Sequence, residues 1–399
     1  MKLINLFLAS LVACSLVSCS NDDEPKGPEE MDAYISIAAA PQTLTKAEGT
    51  QEGQGKENTV QKLTALIFKA DGSYYMRSDV VAKSDESVTE IKDIKVKVAS
   101  PQIGTTSTTS FGVYLLANCE IADADLVGLN INDIDNLKLK DIENYQTIEE
   151  VALPMHSAKL TVGGLTPYNS GDTPVNNWYV SDNSSTTTEG NGAKVSLYRS
   201  ISRVDLVELN ADFSKSSGSP SFKVKKIYLA NVRNTATVVG NEYTGEGALY
   251  YRGAPETFDV IQELIDPTRE GYKPALKTLI KDYGEGVILN DQNKGEFSDF
   301  KSYIYANAAA EKGSYQTRLI IEGEYSAFGL DPVTKYFHIQ LKDDAANANV
   351  ESNKWFKISA TITGEGSDKP DEILSNANIS FKITVEPWVV VEQKEDDTN

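Results

Sequence analysis

The stretch KLTALIFKADG, Lys62–Gly72, decides the fold class because it is short, apolar at both alternating sets of positions, and closed by an Asp-Gly turn. A run of this kind predicts a central β-strand that is buried on both faces. The run DIKVKVA, Asp93–Ala99, instead alternates apolar residues with lysines, which is typical of a strand with one face in water. Together the two runs indicate a β-sheet packed over an apolar core.

Similar runs recur along the whole chain and are bounded by Gly, Asn, Asp or Pro. They include FGVYLLANCE (111–120), AKLTVGG (158–164), SFKVKKIYLANV (221–232), TRLIIEGEY (317–325), KYFHIQL (335–341) and KWFKISATITGEG (354–366). Short strands at such spacing predict an all-β sandwich. Residues 122–149 favour one or two short helices, and PETFDVIQELI (255–265) favours another. At 399 residues the chain is long enough for two domains, and AKVSLYRSISRVDLVEL (193–209) is the predicted passage between them.

The composition narrows the classes of function. The formal net charge is −20 and 40% of the residues are hydrophobic. Such an acidic surface argues against nucleic acid as a partner, because phosphates would be repelled. The hydrophobic content is sufficient for apolar cores, which have to stabilise the chain if it lacks disulfides.

The N-terminus resembles a bacterial lipoprotein signal. A lysine at position 2 precedes an apolar stretch, and a small residue precedes each of Cys14 and Cys19. Cleavage before Cys19 leaves the full apolar stretch upstream and the acidic tether SNDDEPKGPEE downstream, so we take Cys19 as the lipidated residue and residues 1–18 as the signal peptide. Lipidation would anchor the precursor to a membrane. Only Cys119 then remains, and it is interpreted as a small buried residue.

A search for catalytic or metal chemistry finds no site. His156 and His338 have no Cys, His or carboxylate at metal-ligand spacing, and segment 122–149 lacks the pattern of a calcium loop. Phosphate-binding loops, nucleophile elbows and metalloprotease helices do not occur. We therefore expect a binding or structural protein without cofactor, metal or catalytic residues.

Several segments, taken in order, resemble the fimbrillin family of Bacteroidetes, the subunits of the FimA-type major fimbriae and of the minor fimbriae. The matching segments are the lipobox at Cys19, TLTKAEGT (43–50), KLTALIFKADG (62–72), VYLLAN (113–118), LPM (153–155), VSLYRSISRVDL (195–206), and the ending WFKISATITGEGS with FKITVEPWVVVEQ (355–367 and 381–393). The resemblance implies two tandem transthyretin-like β-sandwich domains with short helical insertions. We place the acidic tether at residues 19–32, the N-terminal domain at 33–198 and the C-terminal domain at 199–399.

The resemblance also implies a mechanism of assembly. A surface protease cuts after the first strand, and the strand leaves an apolar groove that a strand of a neighbouring subunit fills by β-strand addition. Here the removable strand is about Ala33–Ala40, with Ile35 and Ile37 pointing inward. The family's cut follows an arginine, but no arginine occurs between Cys19 and Arg77.

Lys46 stands at the equivalent place, in a polar, glycine-containing loop suited to proteolysis. We favour a cut between Lys46 and Ala47. The other possibilities are an uncut anchor subunit that stays lipidated and a different route of maturation.

The end of the chain is the expected donor. Residues 379–386 alternate apolar and polar side chains, and Pro387 precedes Trp388, Val389, Val390 and Val391. A proline cannot donate to a strand ladder, so the last strand lies at an edge or bends there. We expect the part before Pro387 to complete its own domain and the segment from Trp388 to Gln393 to swing outward into a neighbour.

The expected function is thus a structural subunit of adhesive cell-surface fimbriae, exported through the outer membrane as a lipoprotein. Its partners are other fimbrial subunits, the surface protease, and host or bacterial surface ligands. One alternative is a monomeric surface lipoprotein that binds glycans through Trp178, Tyr179 and neighbouring aromatics of the long polar loop at 166–192. A hydrolase is a third alternative, since paired carboxylates are plentiful, but nothing in the sequence selects a pair.

Overall fold

The structure, a computed structural model, describes residues 29–45, 55–83, 86–100, 106–168, 176–180, 184–186, 194–251, 253, 272–273, 275–291, 295, 297–308, 316–327, 330–342, 350–370, 379–388 and 390–392.

Strands dominate the first half of the described chain. They are β1 (Glu30–Pro41), β2 (Thr43–Thr45), β3 (Lys62–Lys69), β4 (Tyr74–Val81), β5 (Glu90–Ala99), β6 (Phe111–Ala117), β7 (Met155–His156), β8 (Leu160–Val162), β9 (Asn176–Val180), β10 (Ser184–Thr186) and β11 (Val195–Arg199). The helices are short: a 3-10 turn at Gly55–Asn58, α1 (Asp123–Leu126), and 3-10 turns at Ile131–Asn136 and Ile142–Tyr145. The predicted short helices between 122 and 149 are confirmed.

The second half continues the same style. Its strands are β12 (Ser202–Ala211), β13 (Ser221–Ala230), β14 (Val232–Arg233), β15 (Tyr250–Tyr251), β16 (Tyr272–Lys273), β17 (Ile280–Leu289), β18 (Lys301–Ile304), β19 (Arg318–Ser326), β20 (Val333–Gln340), β21 (Lys354–Ile362), β22 (Ile379–Pro387) and β23 (Val390–Glu392). A 3-10 turn at Lys277–Leu279 precedes β17. The helix predicted at 255–265 lies outside the described residues.

The first sheet has the order β10-β9-β1-β11-β7-β6-β3-β4, with β5 also paired to β1 and β8 to β6. Its inward side chains form a buried apolar cluster that lies wholly within residues 33–197. The predicted central strand is confirmed as β3, in which residues 63–68 are all buried. The predicted one-sided strand is confirmed as β5, in which Ile94, Val96 and Val98 are buried while Lys95 and Lys97 are exposed.

Two four-stranded sheets follow, in the orders β18-β12-β21-β22 and β17-β13-β19-β20. A larger buried cluster joins them and also includes the helical segment between Leu126 and Leu153. The chain is therefore all-β and sandwich-like, as the sequence predicts. The domain limits at 33–198 and 199–399 stay a prediction, although β11 belongs to the first sheet and β12 to another.

Two segments differ from the sequence-based expectation. The run 193–209, expected to be one extended passage, breaks at Ser200 and Ile201 into β11 and β12. The long polar loop at 166–192 contains β9 and β10, because Asn176–Val180 adds to the edge of β1. Backbone pairing with an existing strand thus overrides the polar composition that suggested a loop.

Candidate functional site

The first strand, β1, is a central strand whose inward side chains are completely buried. It pairs antiparallel with β5 along one edge, and parallel with β9 and β11 along the other. Ala33, Ile35, Ile37 and Ala39 are each 0% exposed. The structure thus places Ile35 and Ile37 in the core of the first sheet.

The outer face of β1 is tied to β5 by a carboxylate. Asp32 accepts hydrogen bonds from Lys95 and Lys97, each 2.7 Å from a carboxylate oxygen. These hydrogen bonds lower the pKa of the Asp32 carboxyl. Ion pairs with half-exposed lysines contribute little to stability. The buried apolar face therefore provides most of the attachment of β1.

The floor beneath β1 is apolar. The same buried cluster contains Leu63 and Ile67 of β3, Val113 of β6 and Leu197 of β11, all 0% exposed. A chain that lost β1 would keep this floor and gain two unpaired strand edges, one on β5 and one on β9 and β11. Such a groove fits an extended, alternating apolar strand.

The segment that follows β1 reaches the end of the chain. β2 pairs parallel with β23, with Thr43 opposite Val390, Leu44 opposite Val391 and Thr45 opposite Glu392. The N-terminal and C-terminal segments of one molecule are therefore hydrogen-bonded to each other.

Trp388 lies between β22 and β23 and is 0% exposed. Its ring stacks on Tyr303, with centroids 5.9 Å apart and planes at 21°, and meets the ring of Trp355 edge-on at 5.8 Å. The guanidinium of Arg199 lies 4.5 Å from the centroid of its ring. The backbone N–H of Trp388 donates to the backbone carbonyl oxygen of Asn353 at 3.0 Å.

This burial bears on one expectation. The sequence predicts that the outward-swinging segment begins at Trp388, and in the single chain the indole is packed inside its own molecule. A side chain this large and this well packed resists exposure to water. The donor assignment of Trp388 stays a prediction.

Two buried arginines organise the surroundings of Trp388. Arg203 Nη1 lies 2.8 Å from Glu57 Oε1, Nη2 lies 2.9 Å from Glu149 Oε1, and Nε lies 2.8 Å from Asp205 Oδ1. Burial acts to lower the pKa of Arg203, but the carboxylates of Asp205, Glu57 and Glu149 outweigh it and raise the pKa. Tyr303 donates its hydroxyl to Glu57 as well. Each buried charge thus has a partner, as its desolvation requires.

Arg199 is the second buried arginine, and it joins the two ends of the chain. Its Nη1 donates to the carbonyl oxygen of Trp388 at 2.6 Å, its Nη2 donates to Asn58, and its Nε donates to the carbonyl oxygen of Glu57 at 3.4 Å. Burial lowers its pKa to about 10, so the guanidinium stays charged at neutral pH. Glu57 and Asn58 belong to the 3-10 turn at Gly55–Asn58, which follows the predicted cut in sequence.

The segment before the predicted cut is held near Arg199 as well. Gln42, between β1 and β2, donates its N–H to the carbonyl oxygen of Leu197 at 2.8 Å and accepts a hydrogen bond at 3.1 Å from the side chain of Asn353. Asn353 also accepts the N–H of Arg199 on its side chain at 3.1 Å. The segments on both sides of the predicted cut therefore converge on Arg199, Asn353 and Trp388.

Sequence reasoning missed this cluster. The available signal was the pair Arg199 and Arg203, four residues apart inside an otherwise apolar, strand-like run. Arginines in such a run need buried partners. Their partners Glu57 and Asn353 are distant in sequence, and only the folded chain brings them together.

Several predicted positions lie outside the described residues: the lipidation site Cys19, the processing residues Lys46 and Ala47, and Val389. For Val390 and Val391 the backbone pairing with β2 is described, but not the side chains. Lipidation, cleavage and strand donation therefore stay predictions.

The aromatic residues of the glycan-binding alternative are not in a loop. Trp178 and Tyr179 belong to β9, opposite Ser36 and Ile37 of β1. Their backbone adds to the first sheet. A strand next to β1 is thus also one wall of the groove that loss of β1 would open.

The remaining candidates from the sequence, Cys119, His156 and His338, have the surroundings of structural residues. Cys119 is 2% exposed, and burial raises the pKa of its thiol to about 12, so it is an unreactive core residue. Burial lowers the pKa of both His156 and His338 to about 4. Within the described ranges, no group of three or more His, Cys, Asp or Glu could hold a metal ion, and no helix is long and apolar enough to cross a membrane.

Comparison with known proteins identifies the N-terminal part. Residues 33–199 match the profile of the major fimbrial subunit protein (FimA) family. This stretch of the chain is similar to that family. The fimbrillin resemblance predicted from sequence is thus confirmed, and the family is one of fimbrial structural proteins rather than enzymes.

Several solved structures share the fold over nearly the whole chain. A fimbrilin from Porphyromonas gingivalis W83 superposes with a TM-score of 0.62 at 18% identity, covering 91% of this chain and 99% of that one. A putative cell adhesion protein from Parabacteroides distasonis gives a TM-score of 0.62 at 14% identity, with coverage of 91% and 99%. One from Bacteroides eggerthii gives 0.56 at 14% identity, with coverage of 91% and 98%. No curated protein matches the sequence.

Proposed function

We propose that this protein is a structural subunit of an adhesive fimbria on the cell surface, assembled by exchange of β-strands between neighbouring subunits. The precursor is exported as a lipoprotein held in the outer membrane through Cys19. A surface protease then cuts between Lys46 and Ala47, and the C-terminal strand of one subunit fills the groove that β1 leaves in the next.

The observation that carries this proposal is the position of β1. It is paired on both edges and its inward side chains are fully buried, yet it is the first strand of the described chain, with the predicted cut only a few residues beyond its end. A buried central strand that one cut can detach leaves a groove that only another strand can fill. Val389 and Val391 supply apolar side chains for it, each contributing roughly 1.5–3 kcal/mol when buried.

The test is controlled cleavage of the purified full-length chain by trypsin. We expect N-terminal sequencing to give Ala47, and electrophoresis in SDS without boiling to show a ladder of oligomers. Lys46→Ala should abolish both. Lys56→Ala, which changes a neighbouring lysine beyond the loop, should abolish neither. Deletion of residues 389–399 should allow the cut but prevent the ladder, and a ladder without these residues would refute the donor assignment.

A second candidate, an uncut anchor subunit, is favoured by the absence of arginine between Cys19 and Arg77. An anchor keeps its lipid and its own β1, so it offers a donor strand but no groove. N-terminal sequencing of the protein taken from cells separates the two. Ala47 supports the polymerising subunit, whereas a blocked Cys19 supports the anchor.

A further inference from the structure

The segment between β1 and the predicted cut does more than connect them. β2 occupies residues 43–45, directly before Lys46, and it is paired with β23 over three residues. Among the described strands, β23 pairs with no other. The strand assigned as donor is thus held by the same peptide that the cut would release.

A second contact joins this peptide to the base of β23. The Asn353 side chain donates to Gln42 at 3.1 Å, while the Asn353 carbonyl oxygen accepts the N–H of Trp388 at 3.0 Å. Asn353 has a φ of 58°, in the left-handed region that asparagine tolerates better than most residues. Asn353 thus contacts both the N-terminal segment, through Gln42, and the backbone of Trp388.

The contacts that hold Trp388 itself all come from residues beyond the cut. Arg199, Tyr303 and Trp355 surround its ring, and none of them would leave with β1 and β2. The pairing of β2 with β23, in contrast, would be lost entirely. Trp388 therefore stays in place after the cut, whereas β23 loses the one strand with which it pairs among the described residues.

We propose that the N-terminal segment is a double lock, in which β1 fills the groove and β2 holds the donor strand, so that a single cut releases both. This inference rests on the proposed function. The uncut precursor can then neither accept nor donate a strand, which prevents assembly before the protein reaches the cell surface. Because β23 pairs with no other described strand, it has no strand partner once β2 is detached.

The donor side can be tested separately from the acceptor side. The acceptor is the cut protein lacking residues 389–399, which has an open groove but cannot donate. The donor is the full-length Lys46→Ala variant, which keeps β1 and cannot accept. We expect no complex between these two on size-exclusion chromatography after overnight incubation.

Weakening β2 alone should then create a donor. Adjacent N–H groups of a strand point to opposite edges, so the double change Thr43→Pro with Leu44→Pro removes whichever one faces β23. Added to Lys46→Ala, it should yield a one-to-one complex with the acceptor. The matched control, Thr43→Val with Leu44→Val, keeps both N–H groups and should yield none.

Hydrogen exchange gives a second readout that does not depend on the complex. The amides of Val390–Glu392 should exchange about tenfold faster in the proline variant than in Lys46→Ala alone, while the amides of Ile35 and Ile37 stay protected. The lock is refuted if Lys46→Ala with intact β2 already binds the acceptor, or if these amides exchange equally in both variants. Failure of cut wild-type protein to bind the acceptor would instead refute strand donation, and with it the proposed function.

Discussion

The first and last long strands of this chain, β1 and β22, differ in every respect that decides whether a strand can be exchanged. β1 has partners along both edges, and its inward residues Ile35 and Ile37 are 0% exposed. β22 pairs only with β21 among the described strands, and Phe381 on it is 37% exposed. β1 is thus a central strand of its sheet, whereas β22 is an edge strand of its own sheet.

This difference shows which end of the chain costs more free energy to remove. Removing β1 exposes an apolar floor, so the vacancy strongly favours a replacement strand. Among the described strands β23 has only β2 as a partner, so the C-terminal end gives up little when it moves once β2 has been removed. An acceptor needs a deep vacancy and a donor needs a weak attachment, and the two ends of the chain meet these needs separately.

The largest effect that tests this comparison concerns the cluster to which both ends are attached. Arg203→Met should destabilise the uncut chain by about 3–5 kcal/mol, because it removes the positive charge that is paired with the buried carboxylate of Glu57. Lys281→Met, which breaks an exposed pair with Asp299, should cost only about 0–1 kcal/mol. Urea denaturation followed by fluorescence measures both. Equal effects would mean that the cluster does not join the two ends.

The second effect compares the two strands directly. Ile35→Ala on β1 removes a fully buried side chain and should cost about 2–5 kcal/mol. Ile383→Ala on β22 removes a half-buried one and should cost about 1 kcal/mol. The free energies of unfolding of the two uncut variants decide. A larger loss for Ile383→Ala would reverse the comparison.

The third effect is a pH dependence of the free energy of unfolding, to which one histidine in each half of the chain contributes. Burial lowers the pKa of His156, on β7 of the first sheet, and of His338, on β20 of the second half, from 6.5 to about 4. Between those values the unfolded chain binds protons that the folded chain does not. The stability contributed by each neutral histidine is therefore complete above pH 6.5 and is lost as the pH falls towards 4.

The loss should be of the order of 1–3 kcal/mol for each histidine. His156→Gln and His338→Gln should each flatten the pH dependence of the free energy of unfolding over this range. A pH profile unchanged by both substitutions would show that other groups cause the acid sensitivity.

The smallest effect concerns the exposed edge. Phe381→Ser should change the stability of the uncut chain by less than about 0.5 kcal/mol, because its ring is already partly in water. Thermal unfolding should show no resolved shift of Tm. A drop of several degrees would mean that β22 is packed more tightly than an edge strand.

The sequence predicted the strands well where local pattern and burial agree. The alternation in β5 and the two apolar faces of β3 follow from residues adjacent in the chain. The strand β9 was missed because Asn176–Val180 lies within the long polar stretch 166–192 and pairs with β1, a long-range contact that local composition does not encode.

The features of the candidate site also divide into those that the sequence predicted and those that it did not. The resemblance to the fimbrillin family predicted that Ile35 and Ile37 point inward, and both side chains are buried in the structure. The packing of Trp388 could not be predicted, because its partners Arg199 and Tyr303 are far from it in sequence. The pairing of β2 with β23 brings together residues more than 340 positions apart, and no local pattern announces it.

The packing of Trp388 has a mechanical consequence for a fibre built as proposed. Tension applied to a donor strand would reach its own subunit at this residue, where two backbone hydrogen bonds and three aromatic or guanidinium contacts share the load. The load would then pass through Arg199 into β11 of the first sheet and through Asn353 to the start of β21. A fibre without disulfides would thus transmit force through a single tryptophan in each subunit, tied to both halves of its chain.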